Sequence, residues 1–189
     1  DVERSRGLGD VYKRQALGNM STNSFDNGDL TFAVSAIRTD GRWHLRELPT
    51  RATESLPDLI AELRATRAEG PVVGLLCVED DWSVVLRPVP SGVRILLSDA
   101  TAALDYDIAS EALETLDIDA PTEEEADDSD DPWPEGDFDL LEDLGASEQI
   151  MSLIFYDDDL YGAEQVLRVA DELGFADELA DLVGVELEF

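Results

Sequence analysis

The division of charge along this chain limits what it can fold into more than any other feature. Residues 117–189 carry 26 acidic side chains and a single base, Arg168, a net of −25, whereas residues 1–116 carry 19 acids and 12 bases, a net of −7. Like charge at such density opposes a compact state, so the second part must do something different from the first. The whole chain, at −32 over 189 residues, repels phosphate backbones, which argues against direct nucleic-acid binding. Its one cysteine excludes a disulfide scaffold and a multi-cysteine zinc site and fits a reducing cytoplasm. No apolar run approaches the roughly 20 residues of a membrane helix, so no membrane role is expected.

The first 19 residues stand apart. Asp1 to Asn19 holds four bases, including the only lysine, Lys13, and its DVYKRQ string resembles translated adaptor read-through. The expectation is that 1–19 is a non-native extension and that the native chain begins at Met20.

Periodicity lays out a domain over 20–116. Residues 31–38 alternate, with Phe32, Val34 and Ala36 on one face; Thr39-Asp40-Gly41 is a hairpin turn; Arg42 to Leu48 returns with Trp43 and Leu45 on one face. Ser55 caps a helix carrying Leu56, Leu59, Ile60 and Leu63, which Gly70-Pro71 ends. Val72–Val78 is continuously apolar and reads as a central strand. Two more strands follow, alternating through Trp82, Val84 and Leu86 and through Val93, Ile95 and Leu97. Ser98-Asp99 then caps a helix from about Ala100 to Leu116. The order is ββαβββα, an α+β domain on a five-stranded antiparallel sheet, with the element order of longin/roadblock-like scaffolds.

Residues 117–137 hold EEE at 123–125 and DDSDD at 127–131, no base and little that builds a core. Such composition predicts a disordered acidic linker, about 25 Å long on average. Residues 138–189 regain helical periodicity as a small acidic module. Its core is marginal at that size, so it is expected either to dock on the sheet or to firm up on a partner.

Few residues offer chemistry. His44 lies mid-strand between Arg42 and Arg46, and Cys77 lies inside the apolar VVGLLCV strand, which suits a buried, inert thiol. An EF-hand reading from Asp157 puts Gly162 at the sixth position but Arg168 at the twelfth, where a bidentate Glu is required. No P-loop, GxGxxG, GxSxG or CxxC occurs. No catalytic residue, metal site or cofactor is assigned. Two candidate partner-binding features remain. Arg38, Arg42 and Arg46, with Arg51 after them, form a basic strip on a sheet edge that could receive the acidic linker or a partner's carboxylates. The stretch DPWPEGDFDLL carries Trp133, Phe138, Leu140 and Leu141 among carboxylates, like an acidic docking peptide with aromatic anchors, or a segment packed on its own domain.

The phrases FAVSAIRTDGRW (32–43), EDDW (79–82) and VRILLSDATAAL (93–104), followed by an acidic stretch and LEDLG (141–145), resemble the actinobacterial tRNA adenosine deaminase-associated protein family. The resemblance covers roughly 30–116, and the tail by composition. It implies a small acidic accessory protein encoded beside a tRNA-editing deaminase, and it brings no catalytic residues. The deaminase signature itself is absent: His44 is followed by Leu45-Arg46, and Cys77 has no PCxxC companion. The expected partner is therefore a tRNA adenosine deaminase or another basic protein. The alternative is a general adaptor, or a homodimer through the sheet domain, unrelated to RNA editing.

Overall fold

The computed structural model describes residues 30–66 and 69–187; the expected extension 1–19 and the start at Met20 lie outside them. The elements run β1 (Phe32–Thr39), β2 (Arg42–Glu47), α1 (Leu56–Ala65), β3 (Val72–Val78), β4 (Trp82–Val89), β5 (Gly92–Leu97), α2 (Asp107–Leu116), α3 (Glu123–Asp127), β6 (Glu135–Gly136), α4 (Glu148–Phe155), α5 (Gly162–Leu173) and α6 (Ala176–Val183). The strands form one antiparallel sheet in the order β2-β1-β3-β4-β5-β6.

The expected α+β class and its ββαβββα beginning are present, but the sheet has six strands rather than five. The sixth comes from the segment read as linker. Gly136 pairs with Leu96 and Glu135 with Leu97. Asp137 N–H donates to the Ile95 carbonyl at 2.8 Å, and Ala100 N–H donates to the Trp133 carbonyl at 2.8 Å. Gly136 has φ 131°, and a Cβ there would collide with the Ile95 carbonyl, so only glycine lets the chain lie this close to β5. Pro121 and Pro134 are buried, and Thr122 and Glu125 make a reciprocal capping box on α3. Segment 117–137 is thus ordered against the sheet. Composition misjudged it because it is held by backbone hydrogen bonds and two prolines rather than by a periodic apolar face.

Both faces of the sheet are covered. Ala33, Leu76, Val78, Trp82, Val84, Leu86, Ile95 and Leu97 face α1 and α2, while Phe32, Val34, Ala36, Val73, Leu75, Cys77, Val85 and Leu96 face α4, α5 and α6. A strand buried on both faces has no polar alternation, which accounts for the unbroken apolar run of β3. Of the two fates expected for the helical tail, docking on the sheet is the one observed.

Two local departures have simple causes. The helix expected over 100–116 is broken: Asp99 accepts from Thr101 N–H at 2.9 Å and caps a single 3-10 segment, Ala100–Leu104, and α2 starts afresh at Asp107. Ser98 is not a cap, because its hydroxyl accepts from Ser83 N–H at 2.8 Å across the sheet. On the same face, Leu63 of α1 sits over Gly74, where a Cβ would stand 2.6 Å from its Cδ1.

Candidate functional site

At the end of the sheet where β3 turns into β4 and β5 stops, four segments converge on a cleft of about 260 Å³. The β3–β4 turn and the end of β5 supply Asp81 and Asp99, the chain after α3 supplies Asp130 and Asp131, and the loop between α4 and α5 supplies Asp157 and Asp158. Among the described residues, six carboxylates line this cleft and no base does. Its floor includes Gln165, buried, whose side-chain carbonyl accepts from the buried Ser83 hydroxyl at 2.9 Å.

The turn behind the cleft is conformationally costly. Asp81 N–H closes it onto the Val78 carbonyl at 2.9 Å, and Glu79 and Asp80 have φ of 53° and 54°, the geometry of a type I′ turn built without glycine. Each such residue costs roughly 1–2 kcal/mol. The offset is tertiary. Asp80 turns inward, and its carboxylate accepts from Ala163 N–H at 2.9 Å while its carbonyl accepts from Gly162 N–H at 3.1 Å, so the turn caps the first turn of α5. Gly162 permits this approach, since a Cβ there would lie 2.8 Å from the Trp82 carbonyl oxygen.

Burial pushes the Asp80 carboxyl up to about 7; the Ala163 N–H opposes the shift, and Glu164 and Asp81 add to it. Asp81 is also raised, first by desolvation and then by Asp99, Glu79 and Asp105. The Tyr106 hydroxyl donates to the Glu79 carboxylate, a bond that holds its proton up to about 12. The Cys77 thiol is pushed up by burial and by the nearby Asp80 charge, which fits the inert thiol expected. On the outer rim, Asp157, Asp158 and Asp159 are exposed and hold carboxylate oxygens within 4.8 Å of one another. No ion pair to these three is found among the described residues.

The residues singled out from sequence are scattered. Arg38 faces the C-terminal helices, its guanidinium 6.0 Å above the Trp43 ring, whereas Arg42 and Arg46 point to the opposite face. Arg46 lies 3.7 Å from Glu62 of α1, and Arg51 binds the same carboxylate. This strip does not receive the acidic segment, which runs along the far edge beside β5. Cations that sequence reading missed hold the end of that segment and the chain just after it. Arg87 donates to Asp143 at 2.8 Å and to the Leu140 carbonyl at 2.9 Å, and Arg94 pairs with Asp139 and approaches Asp137 at 3.7 Å. Their signal was legible: a hairpin turning over Pro88–Gly92 sets Arg87 directly opposite Arg94, and like charges across a ladder call for neighbouring anions. The Arg87 hydrogen bond holds the Asp143 carboxyl below its ordinary value.

Leu140 and Leu141 are fully buried in the core between the sheet and the C-terminal helices, so their side chains offer no surface to a partner. Trp133 is partly buried against the α1–α2 side, and Phe138 is partly exposed, stacked on Tyr156 at 5.8 Å. Leu140 and Leu141 are thus core residues, and Phe138 stands beside Tyr156, which follows α4 and which sequence reading passed over.

Residues 31–176 match the family described as Rv3753c-like tRNA adenosine deaminase-associated protein. The chain belongs to this family. It is 47% identical over 152 residues to Protein Rv3753c of Mycobacterium tuberculosis (strain ATCC 25618 / H37Rv), covering 80% of this chain and 87% of that protein. No solved structure matches it. The matched span starts just before β1 and runs to the first residue of α6, so it includes the ordered acidic segment and helices α1 to α5, where the resemblance read from sequence reached the tail by composition and short phrases. The family is named for association with a deaminase rather than for deaminase activity. Among the described residues no helix is long and apolar enough to cross a membrane.

Proposed function

We propose that this protein is a non-catalytic accessory factor that binds a tRNA adenosine deaminase through its acidic surface. The observation that carries the reading is the cleft end of the molecule: among the described residues six aspartates converge there without a base, and Asp157–Asp159 at its rim have no ion pair. Charge left uncompensated at one end of a fold steers a cationic partner. An enzyme that binds tRNA must present a basic face, and the family's description supplies the class of that enzyme. Arg87 and Arg94 compensate Asp137, Asp139 and Asp143 within the fold, whereas no ion pair to the cleft aspartates is found among the described residues.

The chemistry that remains is that of recognition. His44 is exposed on β2 and Cys77 is buried in β3, two strands that are not neighbours in the sheet. The test is co-purification with a tRNA adenosine deaminase from an organism carrying a family member. Association at low salt that weakens steeply as salt rises is expected. Absence of association at every ionic strength overturns the reading.

A further inference from the structure

Helix α4 buries Met151, Ile154 and Phe155 against the sheet but turns Leu153 outward. Leu153 is 73% exposed and Tyr156 56%, the two highest values among the large hydrophobic side chains of the described residues. Spaced three apart at the end of one helix, they are neighbours on its surface. Tyr156 is held in place from behind, its ring stacked on Phe138 with an interplanar angle of 7°. The chain then passes straight into the Asp157–Asp159 cluster, whose Asp159 N–H folds back onto the Asp157 carboxylate at 2.9 Å. An apolar, aromatic-backed spot thus abuts carboxylates with no ion pair among the described residues.

Resting on the proposed function, we infer that the Leu153–Tyr156 face of α4 is the apolar centre of the partner interface, and that its occupant is a protein surface bearing arginines or lysines around an apolar pocket. Charge complementarity selects this occupant. A second copy of the chain would bring another Asp157–Asp159 cluster and another net −32 to the same contact, which repels it. A basic protein face gains both from the carboxylate rim, which speeds encounter, and from burying a leucine and a tyrosine at the centre, which slows release. This division of labour also says which substitution acts on which property.

The full-length chain carrying Leu153→Gln tests the inference, since glutamine has nearly the helix propensity of leucine and the side chain touches solvent. Binding to the same deaminase is measured across a salt series, with Leu182→Gln on α6 as the control. The expected result is affinity reduced about tenfold or more by Leu153→Gln, with the slope of affinity against salt unchanged, and no effect of the control. Replacing Asp157, Asp158 and Asp159 by asparagine is expected to flatten the salt slope instead. If wild type binds and Leu153→Gln binds equally well, the interface inference fails while the accessory role stands. If wild type binds at no ionic strength, the accessory role itself fails. If wild type forms a dimer that Leu153→Gln dissolves, the patch is a self-contact and the inference is overturned.

Discussion

The two helical layers cover the same sheet by different means. On the α1–α2 side the core contact is apolar, with Leu56, Leu59 and Leu63 of α1 and Ile108, Ala109, Ala112 and Leu113 of α2 lying on alternating strand residues and Gly74 making room for Leu63, while its polar contacts, Arg46 and Arg51 to Glu62, Arg64 to the Gly92 carbonyl and Tyr106 to Glu79, lie at the exposed rim. The α4–α6 side has a comparable apolar core but is also pinned by polar contacts at named points. Asp80 caps α5 at its first turn, Ser83 binds Gln165 midway, Trp43 Nε1 donates to the Leu173 carbonyl at 3.0 Å at its end, and Arg87 and Arg94 hold the segment before α4. The second layer belongs to the part of the chain with a net charge of −25, where burial works against repulsion and position must be fixed by directional contacts. Conditions that change charge should therefore act on one side of the sheet far more than on the other.

The strongest way to break this contrast is to remove apolar burial from the charged layer. Phe155→Ala should cost about 3–5 kcal/mol in urea unfolding. Because β3, β4 and β5 are shared by both layers, a single transition is expected, and two separate transitions would show that the layers are independent. Acidity is the next lever. The Asp80 carboxyl binds its proton more tightly in the fold, at about 7, than at its ordinary 3.8, so between these values the native state holds the extra proton. Stability should then fall as pH rises through that window, by on the order of a few kcal/mol, and level off above it. Asp80→Asn, which keeps an acceptor for Ala163 N–H, should flatten that pH profile and stabilise the protein above about pH 7; an unchanged profile would place the titration elsewhere. Arg87→Gln removes the donor to Asp143 and to the Leu140 carbonyl and should cost about 1–2 kcal/mol, with amide exchange accelerated across 137–143 first. The smallest effect belongs to the apolar side. Ser35 Oγ is fully buried there without a hydrogen-bond partner among the described residues, so Ser35→Ala should raise stability by about 1 kcal/mol. A loss would reveal a partner for that hydroxyl.

How much could be read in advance follows from the kind of contact involved. The hairpin at Asp40-Gly41, with φ of 54° and 77°, the Ser55 and Ser147 caps and the strands β1 to β5 all announce themselves in short stretches, because turn chemistry, capping and alternation are local. The run VVGLLCV read as a central strand, and the structure shows it buried on both faces. Of the candidate site, the carboxylates were plain and Phe138 was noticed, but Leu153 and Tyr156 were not separable from the core-facing residues of α4. In a short helix the exposed and buried stripes differ only by which way the helix is laid down.

Sequence alone determined the charge division, the local elements, the lack of a deaminase signature and the family resemblance, since each is a property of neighbouring residues or of simple counting. Only the tertiary structure decided that residues 117–137 are stitched to β5, that Asp80 serves a helix some 80 residues away, that Asp137, Asp139 and Asp143 answer Arg87 and Arg94, and that Leu140 is core while Leu153 is surface. These depend on backbone donors and carbonyls, which every residue carries alike, and on the docking angle of one layer upon another. Neither leaves a mark in composition or periodicity.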